Sequence, residues 1–222
     1  MKSLSIQNPA FLGIPKAIPL YFIDDFSTNK FDYTDAGSVF SYAVGQLNYN
    51  VTASSGNKFI FFDMGASIGI GNENWYLDYT FLCSAYSGSG NTVGVALGIA
   101  QDTPSGGDPN DEYNLEILGD TSKYSYGSAN DTFGDMSYTW AVGTTYFIRF
   151  KVNVTTKVMT LKSYASAADR TADISPLMNG SITPATNANN ARYVYVWTDR
   201  PTNGFTMSGN IKDIVIDKQS NL

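Results

Sequence analysis

Asn74-Trp75-Tyr76-Leu77-Asp78-Tyr79-Thr80-Phe81 is the stretch on which the fold turns. Large apolar side chains fall at 75, 77, 79 and 81, while the positions between them mix Tyr, Asp and Thr. A repeat of two is the pitch of a pleated strand, whose successive side chains leave opposite faces; a helix would repeat at about 3.6. The same alternation recurs where Val93, Val95, Leu97 and Ile99 are separated by the small Gly94, Ala96 and Gly98. It recurs again where Ile148, Phe150, Val152 and Val154 alternate with Phe147, Arg149, Lys151 and Asn153. Each stretch predicts a strand with one face in a core.

Working outward, further strands are predicted at 20–26, 38–44, 46–52, 58–64, 112–118, 157–164, 192–198 and 210–217. Turn clusters separate them, among them Ser54-Ser55-Gly56-Asn57, Ser87-Gly88-Ser89-Gly90-Asn91 and Ser105-Gly106-Gly107-Asp108-Pro109-Asn110. Proline agrees: the eight fall at 9, 15, 19, 104, 109, 176, 184 and 201, leaving 20–103 and 110–175 free, as a backbone that must donate to a sheet requires. The helical signal is confined to one turn at 166–172. About eleven strands joined by Gly, Ser and Asn turns predict an all-β, two-sheet antiparallel sandwich of jelly-roll type with helices incidental. No internal repeat interrupts residues 19–222, which read as a single domain preceded by an N-terminal arm at 1–18.

Composition narrows the function. Fourteen basic against twenty acidic residues give a net charge of −6, which argues against nucleic acid as a partner, because phosphate binding needs clustered Lys and Arg. With no His, the usual general base and the usual zinc ligand are both missing. One cysteine, Cys83, excludes an internal disulfide and reads as a small buried apolar group. Membrane insertion is not expected: the apolar stretch 10–23 is broken by Pro15, Lys16 and Pro19. The same interruptions argue against a cleavable leader. Sequons at Asn50, Asn130, Asn153 and Asn179 matter only if the chain crosses a glycosylating membrane. Gly65-Ala66-Ser67-Ile68-Gly69 has the letters of a nucleophile elbow, but no His is present to take a serine proton.

The two ends and the middle carry a resemblance. Phe22-Ile23-Asp24-Asp25-Phe26-Ser27, Gly45-Gln46-Leu47-Asn48-Tyr49 and Gly209-Asn210-Ile211-Lys212-Asp213-Ile214-Val215-Ile216 are similar to segments of concanavalin A-like (laminin-G-like) jelly rolls. Residues 143–150 followed by 157–161 resemble the central hairpin of that superfamily. The resemblance covers most of 20–218 and implies that the first and last strands pair and that one sheet face is concave. The superfamily hosts lectins, carbohydrate-binding modules, glycosidases, adhesion domains and virion proteins, so it leaves function open.

Three constellations are candidates for chemistry. Glu112, Asn114 and Glu116 alternate along one predicted strand, and the segment resembles the Glu-x-Asp-x-Glu strand of retaining laminarinase-type glycosidases. On that resemblance Glu112 would be nucleophile and Glu116 acid/base, flanking a glycosidic bond. Asn114 departs from the pattern, and an amide cannot tune its neighbours as a carboxylate does. A solvated strand face is the competing reading. Second, Tyr193, Tyr195 and Trp197 alternate with Val194 and Val196. Valines in the core would place the rings on the other face, where they could stack on sugars beside polar groups such as Asp78, Asn114, Glu116, Arg149 and Lys151. The alternative puts the rings in the core and the valines under a loop. Third, Ca²⁺ would find oxygen ligands either at Asp24, Asp25 and Asp213, if the terminal strands pair, or at Asp102, Asp108, Asn110 and Asp111, although acidic loops more often just face water.

The leading expectation is a non-catalytic jelly-roll module that binds glycans or assembles with neighbouring subunits at an exterior surface, virion or cell surface. It requires no cofactor, although structural Ca²⁺ is compatible with it, and an oligomer or larger assembly is its expected state. A retaining endo-β-glucanase-like hydrolase using Glu112 and Glu116 is the rival, and a purely structural decoration protein without a ligand is the third reading.

Overall fold

The computed structural model describes residues 22–34, 36–65, 74–88, 93–100, 112–118, 123–128, 134–153, 155, 156, 158–183, 192–198 and 205–218; for 93, 112–118, 123–128 and 134–139 only the backbone is described. The predicted arm at 1–18 lies outside these residues. In chain order the elements are β1 (Phe22–Asp24), β2 (Phe40–Ala43), β3 (Gln46–Thr52), β4 (Lys58–Asp63), β5 (Trp75–Ser87), β6 (Val93–Ala100), β7 (Glu112–Leu118), β8 (Lys123–Ser128), β9 (Gly134–Thr139), β10 (Thr145–Asn153), β11 (Val158–Tyr164), α1 (Ala167–Ala172), β12 (Met178–Ile182), β13 (Tyr193–Thr198) and β14 (Thr206–Lys218).

These strands form two antiparallel sheets. One has eight strands in the order β12-β11-β10-β5-β14-β3-β2, with β1 also paired to β14; the other has six, β4-β13-β6-β7-β8-β9. First and last strands do pair, with Phe22 opposite Ile216 and Asp24 opposite Ile214. The β10–β11 hairpin is equally as expected, Phe150 facing Leu161. Strand β14 serves two neighbours along one edge, β3 through Ile211 and β1 from Ile214. Between them its register against β5 shifts, and Asp213 adopts φ 52°, a left-handed conformation that Asp tolerates better than most residues.

The alternation read from the sequence decides which side chains meet. Leu77, Tyr79 and Phe81 from β5, with Ile148, Phe150 and Val152 from β10, face Val95, Leu97 and Ile99 from β6 and Val194 and Val196 from β13 in one buried cluster. Each such side chain contributes about 1.5–3 kcal/mol of apolar burial. Trp75 and Trp140 are packing residues: Trp75 meets Phe150 edge-on at 5.9 Å, and Trp140 meets Tyr86 at 5.5 Å. Cys83 is fully buried, and burial pushes its thiol up to about 11.

Three strands, β8, β9 and β12, were not among those predicted. Strands β9 and β12 are sheet edges. An edge pairs on one side only, so a sequence such as Met178-Asn179-Gly180-Ser181-Ile182 needs few apolar residues to be held there. The helical turn expected at 166–172 is α1. Ser166 caps it by accepting from the Asp169 backbone N–H at 3.1 Å while its hydroxyl donates to the Asp169 carboxylate at 2.7 Å. Its chain leaves through Asp173 at φ 53°.

Candidate functional site

The valines of β13 enter the sandwich core, and Tyr195 and Trp197 belong to a separate cluster with Phe59, Ala96 and Ala100, with Phe61 packed against it. The ring row therefore lies on the face of the six-stranded sheet turned away from the core. Register extends this face across four strands, because directly opposed residues of an antiparallel pair share a side. Trp197 stands opposite Phe59 on β4 and Ala96 on β6, and Ala96 stands opposite position 116 on β7. The next row is Phe61, Tyr195, Gly98 and 114; the next is Asp63, Tyr193, Ala100 and 112. The small residues of β6 thus run as a floor between an aromatic flank on β4 and β13 and the backbone positions of Glu112, Asn114 and Glu116.

The rings of β13 are buried along its whole length, Tyr193 at 8% exposure included. Tyr195 is 0% exposed, Trp197 6% and Phe59 7%. At the other end, Phe61 is half-buried and meets Tyr193 edge-on at 5.8 Å. There Arg192 lays its guanidinium over the Tyr193 ring, 5.1 Å from its centroid, and forms a two-pronged ion pair with Asp63. Both partners are 38% exposed at the side chain. Hydrogen bonds from Arg192 hold the Asp63 carboxyl below the usual carboxylate range. Phe59, Phe61, Asp63 and Arg192 were not among the predicted site residues. Strand β4 reads Lys58-Phe59-Ile60-Phe61-Phe62-Asp63, where apolar residues fall on both parities, so the alternation that marked β13 is absent.

Asp78 and Arg149 are not brought to this face, which corrects their grouping with the rings. Their strands, β5 and β10, belong to the eight-stranded sheet, and the residues sit on its outer side, across the sandwich from Tyr193. Period assigns a side to a residue but not a sheet to a strand. The two are paired to each other: Arg149 donates from Nε to Oδ1 at 2.8 Å and from Nη2 to Oδ2 at 2.7 Å of Asp78. Arg170 of α1 places Nε 3.5 Å from the same carboxylate and donates from Nη1 to the Tyr79 carbonyl at 2.8 Å. Asp78, Arg149 and Arg170 are all buried. Beside them Lys151 and Lys162 each donate to Asp173 at 2.8 Å, and the Tyr164 hydroxyl donates to it as well. Burial opposes ionisation of Asp173, but these three donors outweigh it and hold its carboxyl far below the usual range.

The calcium ligands expected at Asp24, Asp25 and Asp213 do not form a cage. Asp24, the last residue of β1, is buried, while Asp25 just beyond the strand is exposed. Asp24 accepts from the Phe26 backbone N–H at 2.8 Å, with Lys30 Nζ 3.6 Å away; Asp213 accepts from Thr80 at 3.4 Å. Lys30 is the cation that answers Asp24, and no group of three His, Cys, Asp or Glu among the described residues is arranged to hold a metal. These residues do not fit the ion. The second set, Asp102, Asp108, Asn110 and Asp111, lies outside the described residues.

No protein-family model and no curated protein matches the chain. Solved structures do match. The exoplasmic/lumenal domain of VIP36, in a form bound to Ca²⁺ and Man3GlcNAc, superposes with a TM-score of 0.58 at 9% identity, covering 87% of this chain and 85% of that one. Lectin I-B4 from Griffonia simplicifolia, in its metal-free form, gives 0.55 at 12% identity over 90% of this chain and 100% of that one. The chain has the concanavalin A-like jelly-roll fold. A sialidase also matches, with a TM-score of 0.58 at 10% identity over 91% of this chain; the chain spans 20% of that protein's length. At such identities the likeness carries the jelly roll alone. No helix among the described residues is long and apolar enough to cross a membrane.

Proposed function

We propose that this jelly roll is a non-catalytic glycan-binding module working at an exterior surface, virion or cell surface, with neighbouring subunits as its other partners. The observation that supports it is the register of the six-stranded sheet. It sets Tyr193, Tyr195 and Trp197 and the positions of Asn114 and Glu116 on one face, with only small residues between them. Rings offer flat apolar surface to the C–H faces of a sugar, and the part of this row that a ligand can reach is half-buried Phe61 beside the exposed Asp63–Arg192 pair, the rings of β13 and the Ala96 and Ala100 floor being buried. The structural neighbours include the VIP36 domain bound to Ca²⁺ and Man3GlcNAc and the lectin UEA-II complexed with galactose. The test is binding to a glycan array: retention of at least one neutral oligosaccharide, competed by the free sugar and weakened in Tyr193→Ala with cooperative unfolding preserved, supports the reading. Silence across the array overturns it and leaves the structural decoration role.

The hydrolase reading keeps one specific observation: positions 112 and 116 share that same face, two residues either side of 114. A retaining mechanism needs both carboxyl groups at one bond. Turnover of β-glucans that disappears in Glu112→Gln and in Glu116→Gln would replace binding by catalysis.

A further inference from the structure

Resting on the glycan-binding reading, we propose that the sugar's contact point is the Asp63–Arg192 pair at the open end of the aromatic flank, and that the class it selects is a neutral sugar presenting two adjacent free hydroxyls. Trp197, Tyr195 and Tyr193 are 6%, 0% and 8% exposed, so the rings of β13 are closed to a ligand, whereas the side chains of Asp63 and Arg192 are each 38% exposed. Both stand at the Tyr193 row: Asp63 is its cross-strand partner and Arg192 covers its ring at 5.1 Å. Arg192 spends two of its five N–H groups on Asp63, through Nε at 2.7 Å to Oδ1 and through Nη2 to Oδ2. The Gly65 backbone N–H takes a second place on Oδ1 at 2.7 Å. Spare donors on the guanidinium therefore lie beside a spare acceptor on Oδ2, in a plane fixed by the two-pronged pairing.

A pair of neighbouring hydroxyls is the complement of that edge, because one can donate to the carboxylate while the other accepts from the guanidinium. The pair is electrically neutral as a unit. A uronate or sialate carboxylate on the spare donors would stand beside the like-charged Asp63 carboxylate, and would meet a chain of net charge −6. Neutral sugars meet neither penalty.

The experiment is a glycan array of neutral hexose oligosaccharides and their uronate and sialylated counterparts, followed by calorimetric titration of the strongest neutral hit and its deoxy analogues into wild type, Asp63→Asn and Arg192→Gln. Both substitutions sit at an exposed ion pair, so the melting temperature should stay near that of wild type. Each variant should bind about tenfold more weakly or worse, as expected for loss of a hydrogen bond to a charged group, and removal of either adjacent hydroxyl from the sugar should cost as much. Tyr193→Ala weakens binding in either case, because it removes both a ring of the flank and the surface on which Arg192 lies. Binding that Tyr193→Ala reduces but Asp63→Asn and Arg192→Gln leave intact overturns this inference while the glycan reading stands. Preference for uronates or sialates overturns it likewise. No binding to any glycan removes both.

Discussion

Gly209 provides the sharpest test of the packing beneath the sandwich. It sits on β14 where the register against β5 shifts, next to the end of the Tyr49 side chain. Its φ is not in the left-handed region, so the demand is for space rather than for backbone freedom. A Cβ at this position would stand 1.9 Å from the Leu82 carbonyl oxygen, 2.5 Å from the Tyr49 hydroxyl oxygen and 2.8 Å from its ring carbon. The first is backbone of a central strand and cannot swing aside; the others belong to a phenol that donates to the same carbonyl at 2.8 Å. Gly209→Ala must push β14 off β5 by more than an ångström, at about 1–3 kcal/mol for overpacking, and it breaks or bends that hydrogen bond, at about 1 kcal/mol more. The sum, about 2–4 kcal/mol, is a large part of a typical total stability of about 5–15 kcal/mol. Urea titration followed by tryptophan fluorescence would show it as a lower midpoint at unchanged slope, and a melt would fall by about 4–16 °C for a chain of this size. Tyr49→Phe is the control, since it removes the hydroxyl and keeps the glycine; it should cost only the hydrogen bonds of that hydroxyl. In the double variant the phenol clash is relieved but the 1.9 Å contact is not, so Tyr49→Phe should not rescue Gly209→Ala. A Gly209→Ala protein within about 0.5 kcal/mol of wild type, the error of additivity for independent sites, would refute the close approach of β14 to β5.

Two further outcomes follow from the outer face of the eight-stranded sheet. Asp78→Asn leaves Arg149 and Arg170 buried without their shared carboxylate, and should lower stability in urea by about 3–5 kcal/mol, whereas Asp78→Leu with both Arg149→Met and Arg170→Met should recover most of that loss. Because this network is on the other sheet, glycan binding by any folded Asp78 variant should be unchanged. Asp173, whose pKa is depressed, contributes stability that is present above its unfolded value and is lost as pH falls from about 4 toward the folded one, so Asp173→Asn should be less stable than wild type at neutral pH and show a flatter acid limb in pH-dependent melts. Asn also tolerates the left-handed φ of 53° found there, which keeps the comparison on charge.

How much of this was legible is best seen strand by strand. The limits of β3 and β7 coincide with those expected, and Tyr193 to Trp197 was readable as a strand with rings on one side and valines on the other. Alternation is local, and it survives whatever the strand later pairs with. What alternation cannot carry is the identity of the neighbour. Asp78 and Arg149 looked like partners for the rings because each faces away from the core, yet a sandwich has two such faces, and theirs is the other one. Arg170 illustrates the same limit: a lone arginine on a helix of six residues gives no sign of being buried until α1 is laid on β10 and β11. The Phe59–Phe61–Asp63 flank was hidden for a further reason, since Ile60 and Phe62 are apolar too and erase the contrast between sides.

The two outer faces differ in a way that bears on where a ligand can bind. On the eight-stranded side the charges answer one another: Asp78 is shared by two guanidinium groups, and Asp173 takes two ammonium groups and a phenol. A sugar arriving there would have to replace hydrogen bonds already made between charged, largely buried groups, and hydrogen bonds to its own hydroxyls would return no more than was lost. On the six-stranded side the aromatic flank ends in an ion pair that is more than one-third exposed, with donors and an acceptor still to spare. Binding gains most where apolar surface and unsatisfied polar capacity adjoin at an accessible edge, and by that criterion half-buried Phe61 with Asp63 and Arg192 outranks the larger but sealed network across the sandwich.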